Sequence, residues 1–292
     1  MEFCTVFDKS YLSKALTLYR SIEKMGIKTH ALCLDSESYH KVKSLCIENF
    51  TPYYLLDIEK DDPDLLILKT KETKSMFGDQ YSRYVWALTP YFCNYILNKT
   101  NSEELIYIDS DIYFYAGIEE IVKEVEGYSV GIVTHRTLHH INNETDSGKY
   151  NVGIVYFRKD QYGLDCSSFW KSLLMDPDNE YSEKYGKCGD QKYLELFEIK
   201  FPQKVKVIDD LVGHGAPWCF HSYTYLEKYK ISWLDKIQPL IFNHFSHFTN
   251  DINSWSSSYK GEWFPENVNN FVREYYEDYH QEINKTIKIF DL

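Results

Sequence analysis

Two aspartates one residue apart, Asp109 and Asp111, are the residues of this sequence whose types and spacing most clearly indicate chemistry. They follow an apolar run at residues 105–108 that is typical of a buried strand. In extended backbone, residues two apart point to the same face, so both carboxylates can reach one hard cation. Oxygen ligands favour Mg²⁺ or Mn²⁺ over zinc, and a diphosphate is a common partner of such an ion. The pattern therefore predicts a divalent-metal site; the alternative is a solvated acidic loop that follows a strand.

Composition supports a globular protein that handles anions through a metal. The 292 residues include 32 Lys and Arg against 44 Asp and Glu, a net charge of −12. This balance argues against nucleic acid as the main partner, and an anionic ligand would need a local basic cluster or a metal. The seven cysteines are odd in number and never spaced C-x-x-C, so we expect reduced thiols. No apolar run is long enough to span a membrane, and a strand-like segment starts at Phe3. We therefore expect no signal peptide and a cytoplasmic location.

The hydrophobic pattern alternates between strand and helix periods, which is typical of an α/β fold. Strands are predicted at residues 3–7, 28–34, 52–58, 105–108, 129–134, 151–157, 205–208 and 239–242. Helices are predicted at residues 12–22, 36–46, 78–97, 118–125, 164–174, 189–197 and 265–290. Residues 59–64 and 213–218 are predicted to be connections, and the polar loop 136–149 is long enough to be functional. Glycine-rich dinucleotide, P-loop and serine-hydrolase motifs are missing from the sequence.

Several further motifs occur around the aspartate pair in a fixed order. They are Thr5 to Tyr11, Tyr81-Ser82-Arg83, Asp109-Ser110-Asp111, Asn151-Val152-Gly153, Gly189-Asp190-Gln191 and Phe242-Asn243-His244. In this order they resemble the metal-dependent nucleotide-sugar glycosyltransferases of the GT-A fold. The resemblance is greatest to the retaining branch that includes glycogenin and the bacterial lipooligosaccharide galactosyltransferases.

The resemblance implies a Rossmann-like GT-A fold, with a mixed, mostly parallel central sheet flanked by helices. It covers about residues 1–250, which we predict to be the glycosyltransferase domain. Residues 251–292 are predicted to be a C-terminal helical extension packed on that domain. Its aromatic residues could also pair subunits or touch a membrane that bears the acceptor, although its acids make an anionic membrane a poor partner.

The resemblance also implies a metal site. Asp111 is expected to bind the divalent ion directly, Asp109 to reach both the ion and the ribose, and His244 to be the third ligand, with His247 in reserve. The cofactor is expected to be Mn²⁺ or Mg²⁺. The His244 and His247 pair could instead indicate zinc, but no cysteine or acid at suitable local spacing completes such a site.

Binding of the nucleotide is assigned by the same resemblance to three residues. Asp8 and Tyr11 are expected to hold the base, and Arg83 to approach the diphosphate or the sugar. Each has an ordinary alternative: Asp8 could be a helix N-cap, and Arg83 could pair with Asp79 on the surface.

The donor sugar and the reaction centre are assigned to four more residues. Asn151 and Gly153 are expected to border the sugar, Asp190 to bind it, and Gln191 to lie near the anomeric carbon. Asp190 could also cap a helix. The neutral amide of Gln191 favours a retaining reaction, because an inverting enzyme needs a carboxylate base near the acceptor.

The function predicted from these residues is transfer of a sugar from a nucleotide-diphosphate sugar, expected to be a UDP-sugar, to a glycan or lipid-linked hydroxyl. By analogy with the resembling enzymes, the product would be a bacterial cell-surface polysaccharide. Two rivals stay open: a degenerate transferase that binds sugar nucleotides or carbohydrate as a scaffold, and a Mg²⁺-dependent nucleotidyltransferase.

The chain departs from the family in one place. It lacks the Gly and Lys that the family places after the metal histidine; His247 and Lys260 are candidate substitutes.

Overall fold

The computed structural model describes residues 1–71, 78–136, 146–259 and 269–292. Within these ranges the chain alternates strands and helices. The strands are β1 Glu2–Phe7, β2 Thr29–Cys33, β3 Phe50–Tyr54, β4 Glu104–Ile108, β5 Ile112–Phe114, β6 Val130–Thr134, β7 Tyr150–Arg158, β8 Val205–Val207, β9 Gly213–Gly215, β10 Thr224–Glu227, β11 Lys230–Trp233, β12 Lys236–His244, β13 Phe248–Asn250 and β14 Trp255–Ser257. The helices are α1 Leu12–Ile22, α2 Ser36–Leu45, α3 Leu55–Asp61, α4 Asp64–Thr70, α5 Gln80–Lys99, α6 Glu119–Val125, α7 Gln161–Met175, α8 Ser182–Tyr185, α9 Glu195–Lys200 and α10 Asn270–Phe290.

The main sheet has seven strands in the order β3-β2-β1-β4-β7-β6-β8. Its neighbours run parallel except on either side of β7, which is antiparallel to both β4 and β6. The chain moves outward from β1 to β3 and then returns to place β4 on the other side of β1. This reversal creates a crevice at the carboxyl ends of β1 and β4, and open α/β sheets bind ligands in such crevices.

A second sheet brings the end of the chain back to the same crevice. Its strands follow the order β10-β11-β12-β5, with β9 pairing in parallel with β12. Strand β5 begins just after Asp111, and β12 runs antiparallel to it with His244 opposite Ile112. This register carries the carboxyl end of β12 to the turn between β4 and β5.

Helices cover both faces of the main sheet. Helix α5 is capped by Asp79, whose side chain accepts from the backbone N–H of Ser82 at 2.8 Å, and it continues through Pro90. Helix α10 packs on α1, where Oγ1 of Thr17 donates to Oγ1 of Thr286 at 2.9 Å. No helix in the described ranges is both long and apolar enough to cross a bilayer.

Most predicted elements are present, but four predictions were wrong in part. The strand predicted at 52–58 ends at Tyr54, because Leu55 and Ile58 are buried on one face of α3. The connection predicted at 59–64 lies largely within α3 and the start of α4. In the predicted loop 213–218, the first residues form β9. The strand predicted at 239–242 spans Lys236–His244, preceded by the unpredicted β10 and β11.

Two helices begin later in the chain than the sequence predicted. The helix predicted at 189–197 begins only after Gly189, whose φ of +56° is left-handed, and consists of a 3₁₀ turn Lys192–Leu194 followed by α9. The terminal helix begins at Asn270 rather than at 265, with residues 265–268 outside the described ranges. Much of the predicted loop 136–149 also lies outside them.

Candidate metal and donor site

The aspartate pair lies in the turn between β4 and β5, at the crevice. The backbone N–H of Asp109 donates to the carbonyl of Gly153 on β7 at 2.9 Å, which ties the end of β4 to its neighbour. The N–H of Ile112 then donates to the carbonyl of Asp109 at 3.1 Å, closing the turn. Asp111 is 6% exposed, whereas the side chain of Asp109 is 28% exposed. The turn therefore presents both carboxylates to the same crevice.

His244 completes a three-residue cluster with these carboxylates. Its Nε2 lies 3.0 Å from Oδ1 of Asp111 and 3.6 Å from Oδ2 of Asp109. One ligand atom from each of the three residues lies within 4.8 Å of the others. Two carboxylate oxygens and one imidazole nitrogen are ligands that Mn²⁺ and Mg²⁺ accept, so the donor set fits the metal that the sequence predicts. His247 is not a member of this cluster.

Burial and mutual charge shape the electrostatics of the cluster. Burial raises the pKa of Asp109, and the neighbouring charge of Asp111 adds to this effect. Burial also acts to raise the pKa of Asp111, but attraction to His244 and the hydrogen bond between them outweigh it, so this pKa is lowered. Burial acts to lower the pKa of His244, yet the two carboxylates raise it. The cluster thus favours a positive charge between the two aspartates.

Asn151 fixes the orientation of His244. Nδ1 of the imidazole lies 3.2 Å from Oδ1 of Asn151, and this oxygen also accepts from the backbone N–H of Gly153 at 2.9 Å. Because an amide oxygen can only accept, Nδ1 carries the proton and Nε2 is the nitrogen that faces the carboxylates. Such a partner behind a metal-ligating histidine is a common feature of metal sites.

Gly153 makes the contact between Asn151 and His244 possible. A Cβ at this position would lie 2.6 Å from Oδ1 of Asn151 and 2.9 Å from Nδ1 of His244. Both distances are too short for carbon, so any larger residue would push these side chains apart. The crowding at Gly153 comes from the protein itself, and the predicted approach of a sugar to this glycine stays a prediction.

Gln191 is joined to the cluster through the same asparagine. Nδ2 of Asn151 donates to Oε1 of Gln191 at 2.8 Å, and Nε2 of Gln191 donates to the carbonyl of Ser147 at 3.0 Å. Hydrogen bonds therefore run from Asp111 through His244 and Asn151 to Gln191. Asp190 is 5% exposed; burial and the charge of Asp109 raise the pKa of its carboxyl. Asn151, Asp190 and Gln191 thus lie around one region of the crevice.

Asp8 and Tyr11 lie after β1, on the other side of the crevice. Oδ1 of Asp8 accepts from the backbone N–H of Ser10 at 2.9 Å, so Asp8 caps the short 3₁₀ turn that follows. Oδ2 of Asp8 accepts from the hydroxyl of Tyr81 at 3.2 Å, which links α5 to this edge. Burial raises the pKa of Tyr11, and the negative charges of Asp111 and Asp109 raise it further.

Three other predicted residues are Arg83, His247 and Lys260. Arg83 is in the first turn of α5, two residues after Tyr81. His247 packs edge-on against Tyr259, with ring centroids 5.6 Å apart. Lys260 lies outside the described residues.

Two residues near the cluster were missed by sequence reasoning. The hydroxyl of Tyr107 donates to Oδ1 of Asp109 at 2.7 Å. The two-residue period of a strand places Tyr107 on the same face as Asp109, and that signal could have found it. Lys14 is buried in the first turn of α1, and its helical offset of three residues from Tyr11 was the available signal.

A second group of acids, Glu124, Asp209 and Asp210, also comes close together. The carboxylate of Glu124 accepts from the backbone N–H groups of Asp209, Asp210 and Val212 at 2.9–3.1 Å, and from that of Leu211. These donors already satisfy its hydrogen-bonding capacity, and Lys206 contacts the group as well. The second acidic group therefore anchors the loop before β9.

Comparison with known proteins supports this geometry at the level of the fold. No family model matches the chain. The chain is 30% identical over 259 residues to the uncharacterized protein YfnF of Bacillus subtilis (strain 168), covering 84% of this chain and 81% of YfnF. Among solved structures, an active-site mutant of LgtC aligns with a TM-score of 0.58 at 10% identity, covering 98% of this chain and 96% of LgtC. Galactosyltransferase LgtC in complex with donor and acceptor sugar analogues aligns with a TM-score of 0.54 at 11% identity and the same coverage. The predicted GT-A fold is confirmed.

Proposed function

We propose that this chain, which belongs to the same family as the uncharacterized protein YfnF of Bacillus subtilis, is a metal-dependent glycosyltransferase. It transfers a sugar from a nucleotide-diphosphate sugar, expected to be a UDP-sugar, to a hydroxyl of a glycan or lipid-linked acceptor. Residues 1–250 form the transferase domain, and residues 251–292 are its C-terminal extension. The protein is cytoplasmic and contributes to a cell-surface polysaccharide.

The observation that carries this proposal is the convergence of Asp109, Asp111 and His244 at the carboxyl edge of a GT-A sheet. In this fold a diphosphate needs a positive partner, yet the chain has a net charge of −12. Three side chains at the crevice can bind a metal ion that supplies this positive charge, and Asn151 orients one of them.

The metal ligands in this proposal are Asp111, Asp109 and His244. When bound, a divalent ion supplies Lewis-acid stabilisation of the charge that develops on the leaving diphosphate. Tyr107 holds Asp109 in place by donating a hydrogen bond to it. Asn151 keeps Nε2 of His244 directed at the two carboxylates.

The remaining roles follow the path that an extended donor would take across the crevice. Asp8 and Tyr11 bind the base beyond β1, and Arg83 approaches the diphosphate. Gln191 is joined to the metal cluster by its hydrogen bond with Asn151. The charge of Asp109 raises the pKa of the Asp190 carboxyl.

Asp190, together with Asn151 and Gly153, borders the sugar, and Gln191 lies at the reaction centre. The amide of Gln191 is neutral and cannot act as a general base, which supports retention of configuration. In one solved structure of LgtC, an active-site glutamine is replaced by glutamate. An active-site amide in that enzyme is consistent with the role proposed for Gln191.

The first test is a thermal-shift screen of nucleoside diphosphates and sugar nucleotides, with and without Mn²⁺. One nucleotide is expected to stabilise the wild-type protein only when Mn²⁺ is present, because a ligand that binds the folded state raises its melting temperature. Asp111→Ala is expected to abolish both this shift and metal-dependent turnover while leaving the protein folded, which circular dichroism checks. Asp165→Ala is a matched control, because Asp165 is exposed on α7.

A second measurement separates an enzyme from a sugar-binding scaffold. Isotope-labelled donor should be hydrolysed slowly by the wild-type protein and Mn²⁺, releasing free sugar, and not by Asp111→Ala. Donor binding without any hydrolysis or transfer would favour the scaffold. Full activity in Asp111→Ala would contradict the proposed metal site.

A further inference from the structure

Lys14 is a buried cation beside the candidate site that no assigned role uses. It occupies the first turn of α1 and is 8% exposed. Its ammonium lies 4.0 Å from the ring centroid of Tyr11. Across residues 1–71, 78–136, 146–259 and 269–292, no carboxylate or other hydrogen-bond acceptor contacts this ammonium. Among the described residues, this buried ammonium therefore contacts an aromatic face but no acceptor.

This placement costs stability unless something compensates for it. Burial lowers the pKa of Lys14, and the more distant carboxylates of Asp111 and Asp8 only partly oppose that effect. A cation in the first turn of a helix also faces the positive end of the helix dipole. Buried charges are normally paired in folded proteins. Side chains that break this rule beside a binding cleft are candidates for ligand binding.

The position of Lys14 indicates what kind of ligand would pair with it. Tyr11 and Asp8 are at the base end of the proposed donor site, and Asp111 is at the metal end. The two carboxylates that attract Lys14 therefore come from opposite ends of that site. A nucleotide that reaches from one end to the other passes Lys14 with its phosphates, which are anionic.

We propose that Lys14 binds the diphosphate of the nucleotide donor, on the side of the metal cluster nearest α1. The inference rests on the proposed function and adds a cation to it that comes from the beginning of the chain. Because an ammonium is a compact charge with three donors, it can serve oxygens of both phosphates. Lys14 also covers one face of the Tyr11 ring.

The charge of Lys14 predicts effects of opposite sign on the metal and on the diphosphate. Lys14 repels a divalent ion bound by Asp111, so its removal should leave Mn²⁺ affinity unchanged or increase it. Removal of Lys14 should also lower the affinity for a diphosphate about tenfold or more, which is the usual effect of losing a charged hydrogen bond. A lysine that only supported the fold would change both affinities in the same direction.

The experiment is isothermal titration calorimetry of wild type, Lys14→Met and Lys14→Arg at one ionic strength. The probes are Mn²⁺ alone, then pyrophosphate and UDP at saturating Mn²⁺, and finally uridine. Lys14→Met is expected to bind Mn²⁺ at least as tightly as wild type and to bind pyrophosphate and UDP about tenfold more weakly. Uridine should bind all three proteins equally, and Lys14→Arg should recover part of the diphosphate affinity. Lys9→Met is the control, because Lys9 is exposed and pairs with Glu37.

Two results would overturn the inference while leaving the proposed function intact. One is a Lys14→Met variant with wild-type affinity for pyrophosphate; the other is a variant that loses Mn²⁺ and pyrophosphate together. Circular dichroism and thermal unfolding establish that each variant is folded. A wild-type protein that binds neither Mn²⁺ nor pyrophosphate would instead reject the proposed function, and this inference with it.

Discussion

At the scale of single residues, Asn151 links the proposed metal ligands to the proposed reaction centre. Its oxygen accepts from His244 and from the backbone of Gly153, while its nitrogen donates to Gln191. Aspartate could not reproduce this pattern, because it has no donor for Gln191. One amide thus sets the orientation of two other side chains.

Replacing Asn151 with alanine is expected to weaken Mn²⁺ binding about 10–100-fold, since that is the usual cost of losing the partner behind a metal ligand. Without Asn151 the imidazole of His244 is free to rotate and to change tautomer. Titration calorimetry with Mn²⁺ measures the effect. Asn253→Ala provides a control at an exposed position. Wild-type affinity in Asn151→Ala would show that His244 is oriented by something else.

The sequence predicted the cluster better than it predicted the support around it. Asp109 and Asp111 follow from the strand period, and His244 followed from the resemblance. Tyr107 and Lys14 were missed because each looks ordinary in sequence, one as an aromatic in a strand and the other as a charge on a helix. Their importance comes from burial beside residues that are distant in the chain, and periodicity does not report such contacts.

At the scale of elements, helix α10 supports the strand end that carries His244. Phe245 follows His244, and its backbone N–H donates to the carbonyl of Asp111 at 2.9 Å. The ring of Phe245 stacks on Tyr279 of α10 with centroids 3.9 Å apart. A helix near the end of the chain therefore packs directly behind the proposed metal ligands.

Two substitutions at Tyr279 separate this packing from the hydroxyl group. Tyr279→Ala is expected to lower the free energy of unfolding by about 3–5 kcal/mol, the usual cost of removing a buried aromatic ring. It should also weaken Mn²⁺ binding, because Phe245 loses its support. Tyr279→Phe should be neutral or slightly stabilising, because this buried hydroxyl has no hydrogen-bond partner among the described residues.

Urea unfolding and Mn²⁺ titration measure these effects. Ile289→Ala is the matched control on the same helix, since Ile289 is 60% exposed. It should change the free energy of unfolding by no more than about 0.5 kcal/mol. If Tyr279→Ala lost stability but kept wild-type Mn²⁺ affinity, α10 would support the fold without influencing the cluster.

Elements were predictable where burial is consistent along their whole length, as on one face of α1 and on both faces of β7. They were mispredicted where burial changes along a segment. Residues 236–238 of β12 are exposed except for Gln238, so only residues 239–242 were predicted to be a strand. Leu55 continued an apolar run from β3, yet it begins a helix because its side chain packs in the core beside α5.

At the scale of the whole molecule, the 26 tyrosines predict sensitivity to alkaline pH. Burial raises the pKa of many of them, to about 12 for Tyr81 and Tyr113 and well above 10 for Tyr276 and Tyr279. A raised pKa means that the folded state binds the proton more tightly than the unfolded state does. The resulting stabilisation is complete below pH 10 and is lost as the pH rises through the folded-state values.

Unfolding free energies should therefore fall steeply as the pH rises above about 10 toward 12. Urea unfolding at a series of pH values, followed by circular dichroism, measures this decline. Tyrosinate absorbance should rise together with the loss of structure. Absorbance that rises well before unfolding would show that the tyrosines ionise within the folded protein.

The register of β12 against β5 also affects how the protein is made. Asp109 and Asp111 leave the ribosome long before His244, and α10, which packs behind His244, is synthesised after it. A nascent chain cannot assemble the three-residue cluster until His244 has emerged. Chains that end before His244 would consequently be unable to sequester metal and sugar nucleotide through the complete cluster.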